Sequence, residues 1–189
     1  MMAHCSDDEL GQLIAAARHG TGDELAFAER LIDAYPGDAR LHFLRGSFLA
    51  GSGRPIEAHA ALSRAVELAP DFALARFQLG FFELTSGEAA RALATWAPLR
   101  DLPPDQYLAR FVTGLTHLIH DRFAEAVAAL RAGIAVNTDN PPLNGDMQRI
   151  IDQCADLTGP ASAAGNAPDD AASATSFLLG QIGGRGTTH

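Results

Sequence analysis

The sequence predicts an all-α fold, a solenoid of about four helix pairs closed by a C-terminal capping helix. Five columns of residues carry the prediction. Gly46, Gly80 and Gly114 stand 34 residues apart, and Ala58, Ala92 and Ala126 keep the same interval. Phe43/Phe77/Phe111, Leu62/Trp96/Leu130 and Pro36/Pro70/Pro104 repeat in phase with them. Self-similarity at this period marks stacked helical units, each too small to bury its apolar face alone.

Taken in order, the apolar periodicity and turn residues place helices at 7–18 and 23–34, 38–50 and 54–68, 72–85 and 87–100, 105–119 and 121–136. Gly51-Ser52-Gly53 and Ser86-Gly87 supply turns inside the pairs, and the prolines close successive units. The repeated glycine lies mid-way along each first helix, where a missing Cβ lets the second helix approach. The alanine and the large residue four positions later share one face of that second helix. A ninth helix at about 143–157 sets Leu143, Met147, Ile150, Ile151 and Cys154 along one side and reads as the cap. The units then run at about 5–38, 39–72, 73–106 and 107–140, within a solenoid of residues 5–158 preceded by a short flexible N-terminus, residues 1–4.

These columns resemble the tetratricopeptide repeat, with its pattern W-x2-L-G-x2-Y, then A-x3-F, then P. The third unit carries Leu79-Gly80, Ala92-x3-Trp96 and Pro104; the second has Gly46, Ala58-x3-Leu62, Ala65 and Pro70; the fourth has Gly114 and Ala126-x3-Leu130. The first keeps only Phe27, Leu31 and Pro36 in phase, as terminal repeats often do. His42, Arg76 and Arg110 stand where the family has Trp, and Leu49, Glu83 and His117 where it has Tyr. The resemblance covers about residues 5–140 and implies a right-handed superhelix whose first helices line a concave groove.

With 47% hydrophobic and 20% charged residues, the 189-residue chain has ordinary globular proportions. Its net charge is −9, and all 14 basic residues are arginines. The absence of lysine fits the codon usage of a GC-rich genome and removes Schiff-base chemistry. A chain this acidic, without a basic stripe, argues against a nucleic-acid partner. No run approaches the length of a membrane span, and the N-terminal MMAHCSDDEL lacks a signal-like apolar stretch, so a cytoplasmic location without membrane insertion is expected. Cys5 lacks the hydrophobic region that a lipidation site would follow. Cys5 and Cys154 fall at opposite ends of a stacked array and are expected to stay reduced.

No catalytic constellation emerges, and no metal or cofactor is expected. His117 and His120 are one turn apart with Asp121 beside them, yet a further ligand at useful spacing is missing, which favours a packed or solvated histidine. His4, His19, His42, His59 and His189 form no cluster. Gly180 to Gly186 follows no strand and opens no helix, so it lacks the setting of a phosphate loop. Asp7, Asp8 and Glu9 suit the first turn of helix one, where they offset the helix dipole.

By the resemblance, the groove-facing places are Arg40, Phe43, Ser47 and Ala50, then Leu74, Phe77, Phe81 and Leu84, then Leu108, Phe111, Leu115 and Leu118. Each set shares one helical face, apolar where a solvated groove would be polar. On sequence alone, two readings stand: the phenylalanines pack between first helices as core, or they meet a partner. Mostly Phe, Leu and Ala stand where carboxylate-gripping relatives use Lys, Asn and Arg, which argues against a chaperone-tail adaptor.

From Gly159 the composition turns polar and small, and residues 159–189 read as a flexible tail whose linker, 159–176, ends where Phe177, Leu178, Leu179 and Ile182 form an apolar segment, 177–182, that either is a leftover cluster or docks. The expected function is a non-enzymatic module that binds an apolar or amphipathic protein segment. Alternatives are a chaperone similar in outline to the tetratricopeptide chaperones of bacterial type III secretion, or a scaffold that forms homo-oligomers. The tail segment, residues 177–182, is expected to fold back, or to cross to a second copy, and to occupy part of the groove near Phe77, Phe81 and Phe111 until a partner displaces it.

Overall fold

A computed structural model describes residues 4–20 and 22–158. The described residues form helices α1 (Asp7–His19), α2 (Glu24–Ala34), α3 (Ala39–Gly51), α4 (Pro55–Leu68), α5 (Ala73–Thr85), α6 (Ala89–Trp96), α7 (Tyr107–Ile119), α8 (Phe123–Val136) and α9 (Pro141–Thr158), and no strand. The fold is all-α, as predicted.

The helix expected at 87–100 is interrupted. Pro98 has no N–H to continue the α-helical ladder, so α6 stops at Trp96 and the chain tightens into a 3-10 turn, Ala97–Asp101. α9 starts two residues earlier than its apolar pattern suggested. Pro141 and Pro142 fit a first turn, where backbone N–H groups have no intrahelical acceptor.

The described chain divides into two compact units between Leu79 and Gly80, inside α5. In the first unit, Ser6 caps α1: its hydroxyl accepts from Glu9 N–H at 3.2 Å while the Glu9 carboxylate accepts from Ser6 N–H at 2.8 Å. Asp7, Asp8 and Glu9 occupy the first turn. Leu13, Ala28, Leu31 and Leu41 form the core between α1, α2 and α3, with Leu10, Phe27, Ile32, Leu44 and Phe48 packed around it. At Gly46 the large residue of the next helix fills the space of the missing side chain, and a Cβ there would lie 2.7 Å from Leu62 Cγ.

The second unit repeats the device. A Cβ on Gly114 would lie 2.7 Å from Leu130 Cδ2, and one on Gly80 would overlap the Trp96 indole. Leu143, Met147, Ile150, Ile151 and Cys154 of α9 are buried, and the helix packs on α8. The buried Asn137 ends α8 and bonds to Asn140 and Asn144, which fixes the turn into α9.

Two polar motifs also keep the 34-residue interval. The turns inside the pairs are Schellman closures: Arg54 N–H reaches Leu49 C=O at 3.0 Å, Glu88 reaches Glu83 at 2.8 Å and Arg122 reaches His117 at 3.0 Å. The residue before each donor has a left-handed backbone, at Gly53 (φ 69°), Gly87 (φ 86°) and Asp121 (φ 54°). Meanwhile the residues standing where the tetratricopeptide pattern has Trp grip the preceding proline carbonyl. His42 Nε2 lies 2.9 Å from Pro36 O, Arg76 Nη2 donates to Pro70 O at 2.9 Å and Arg110 Nε to Pro104 O at 3.1 Å. A polar clasp therefore stands in the place of the missing aromatic.

Candidate functional site

The residues expected along a groove separate by burial. In the first unit Phe43 and Ser47 are half-buried on α3, and Phe43 packs its ring on Phe72 with centroids 5.4 Å apart. Phe77 has no exposed surface. In the second unit Leu84, Phe111, Leu115 and Leu118 are also fully buried, and Phe81 is 8% exposed. The apolar stripe over these positions is core. Phe111 shows why: its ring lies against Gly133 of α8, where a Cβ would come within 2.5 Å of Phe111 Cε1. That ring is occupied by its own helix pair and presents no face to a ligand. Gly133 was the signal in the sequence, a glycine in the last turn of α8 and outside the repeated column.

Arg40, expected in the groove, is committed elsewhere. Asp38, fully buried, caps α3 by accepting from Arg40 N–H at 3.0 Å, and it also accepts from Cys5 N–H at 3.0 Å. The Arg40 guanidinium straddles this carboxylate, with Nε to Oδ1 at 3.0 Å and Nη2 to Oδ2 at 2.7 Å. It reaches on to Cys5 C=O at 2.8 Å and Asp7 at 3.2 Å. The result is a clasp that ties the segment before α1 to the start of α3. Burial opposes the charge of Asp38, but the bonds from Arg40 and Cys5 outweigh it and hold the carboxyl well below its usual range. Burial, reinforced by the neighbouring Asp38, pushes the Cys5 thiol up to about 11. Burial alone takes Cys154 up to about 11. Both free thiols are therefore protonated at neutral pH and poor nucleophiles.

His117 is half-buried and His120 exposed. The Nδ1 atom of His117 is buried without a hydrogen-bond partner. Asp121, beside them, is the turn residue of the third Schellman closure. Among the described residues no group of His, Cys, Asp and Glu comes together in the number a metal site needs. The tail positions Phe177, Leu178, Leu179 and Ile182 lie outside the described residues.

The second unit holds a half-open pocket of about 330 Å³. Arg100 and Leu102 line it from the segment after α6, Pro104 from the loop before α7, and Arg110, Val112 and Thr113 from α7. Arg110 is held by the carbonyls of Pro104 and Ala132, at 3.1 and 3.0 Å. Sequence reasoning missed this site because its parts belong to a loop, a 3-10 turn and two helices. No helix among the described residues is long and apolar enough to cross a membrane.

No family model matches the chain, and no curated protein matches it. Solved structures do resemble it. The MamA RS-1 ArsTM double mutant superposes with a TM-score of 0.58 at 15% identity, over 98% of this chain and 97% of that one. MamA 41-end from Desulfovibrio magneticus RS-1 gives 0.56 at 14% identity, over 82% and 92%. MamA MSR-1 C2 gives 0.53 at 18% identity, over 95% and 97%. At such identities the likeness shows the fold, an all-α tetratricopeptide-like helical-repeat solenoid.

Proposed function

We propose that the chain is a non-enzymatic protein–protein interaction module that takes an apolar or amphipathic segment of a partner protein. The observation that carries this reading is the half-buried Phe43, which keeps part of its surface accessible while seated on Phe72 and shares one face of α3 with Ser47 and Ala50. It is the phenylalanine of the repeated column that keeps accessible surface, since Phe77 and Phe111 are buried. Covering what remains accessible of this partly buried ring contributes up to about 1 kcal/mol before ordering costs, the full burial of an exposed Phe being worth about 1.5–3 kcal/mol. The titratable side chains in the clasp serve structural bonds, and the thiols are protonated, which supports a binding role over a chemical one. Free thiols in both units support a reducing compartment such as the cytoplasm.

The test compares the parent with Phe43→Ser in capture of partners, alongside circular dichroism and melting. A partner bound by the parent and lost by a folded Phe43→Ser chain supports the reading. Equal capture by both sinks it.

A second reading, self-association as an assembly scaffold, is favoured by Ile56, which is 85% exposed at the start of α4. A large aliphatic side chain so exposed gains most by meeting another surface. Mass measured over a range of concentrations, for the parent and Ile56→Asp, decides it: assembly must appear in the parent and weaken in the variant.

A further inference from the structure

We propose that the pocket of the second unit is a binding site for an acidic-then-apolar peptide segment, and that its occupant is the chain's own Asp169–Ile182. The pocket brings two guanidinium groups, Arg100 and Arg110, beside the apolar surface of Leu102, Pro104 and Val112. Among the described residues no carboxylate lines it, although the chain carries a net charge of −9. Such a lining selects a ligand that offers a negative group next to an apolar one.

The two arginines divide the work. Arg110 is pre-positioned by its bonds to Pro104 and Ala132, which use Nε and Nη1. Neither bond involves Nη2. Arg100 is exposed and has no hydrogen-bond or ion-pair partner among the described residues. A carboxylate drawn to these donors makes charge-assisted bonds, stronger than neutral ones.

The chain beyond the described residues contains that pattern. Asp169 and Asp170 are followed by AASATS and then by Phe177, Leu178, Leu179 and Ile182. The aromatic ring suits a pocket of about 330 Å³, and the paired carboxylates suit the rim at Arg100. Delivery is within reach. α9 packs on α8, which itself lines the pocket through Ala129, and the chain leaves α9 at Thr158. The 11 residues from Thr158 to Asp169 span about 17–20 Å root-mean-square as a coil. Tethering at such length supplies an effective concentration on the order of millimolar, enough to populate a weak contact. The site does not involve Phe43, so it stands or falls apart from the partner surface proposed above.

The experiment is hydrogen exchange read by mass spectrometry on the full-length chain, at several protein concentrations. In the parent, backbone amides around 177–182 are protected. Arg100→Glu raises their exchange by about tenfold or more while the exchange of α7 and α8 is unchanged. Adding Asp169→Arg and Asp170→Arg to Arg100→Glu restores protection, and Phe177→Ser in the parent abolishes it. Exchange at 177–182 at the intrinsic rate in the parent, or protection indifferent to Arg100→Glu, overturns the proposal. Protection that grows with protein concentration assigns the pocket to the tail of a second copy and overturns the intramolecular assignment.

Discussion

Gly80 faces Trp96 so closely that a Cβ on the glycine would lie 2.6 Å from Cδ1 of the indole. The indole has no exposed surface and cannot swing into solvent. Gly80→Ala is therefore expected to destabilise by about 1–3 kcal/mol despite the better helix propensity of alanine. Gly11 of α1 has nothing within 4 Å of an added Cβ and serves as the control. Gly11→Ala should stabilise by about 0.5–1 kcal/mol. Urea unfolding of both variants checks the pair, and equal effects would refute the packing argument.

The left-handed turn residue is glycine twice and Asp121 at the third repeat. A Cβ crowds the following carbonyl in this conformation, less severely for Asp than for most residues. Asp121→Gly should stabilise by about 0.5 kcal/mol, and Asp121→Val should cost more than 1 kcal/mol. Melting temperatures moving in opposite directions are the expected result.

The Asp38 clasp gives the chain an acid sensitivity. Folding lowers the pKa of this carboxyl, so its contribution is complete above the unfolded value of about 3.9 and is lost as pH falls through the lower folded value. At neutral pH, Asp38→Ala removes the cap of α3 and the buried partner of Arg40, whose guanidinium is itself one-third exposed and keeps Asp7, so the expected loss is about 1–3 kcal/mol. Denaturant midpoints from pH 7 down to pH 2 should fall more steeply for the parent than for the variant.

The buried thiols give an alkaline counterpart. Their pKa values are raised to about 11, so the native chain keeps protons that the unfolded chain releases from about pH 8.5 upward. Stability contributed by the neutral thiols is full below that pH and declines as pH rises towards 11. Thiol labelling of the native chain should have its midpoint in pH well above that of the denatured chain.

Arg76, half-buried on α5, holds the Pro70 carbonyl at 2.9 Å. Arg76→Met keeps the aliphatic stem and removes the donor, so the expected loss is about 0.5–1.5 kcal/mol. A Tm equal to the parent's would show that the clasp contributes nothing.

The spacing of residues along the chain determined the helix pairs, the glycine contacts and the cap. Gly46, Gly80 and Gly114 meet Leu62, Trp96 and Leu130, each 16 residues on, because a helix, a short turn and a returning helix bring those positions together by local geometry alone. Tertiary structure decided which apolar faces are covered. Phe43 and Phe111 occupy the same column, yet Phe43 keeps exposed surface while Phe111 is shut against Gly133. Helical periodicity fixes the direction of a side chain about its own axis and is silent on what another segment places over it. The same limit hid the Asp38–Arg40 clasp on Cys5, 33 residues from Asp38. It also hid the pocket at Arg100 and Arg110, whose walls come from four segments. Burial and ion pairing depend on residues far apart in the chain, and only the folded arrangement brings them within reach.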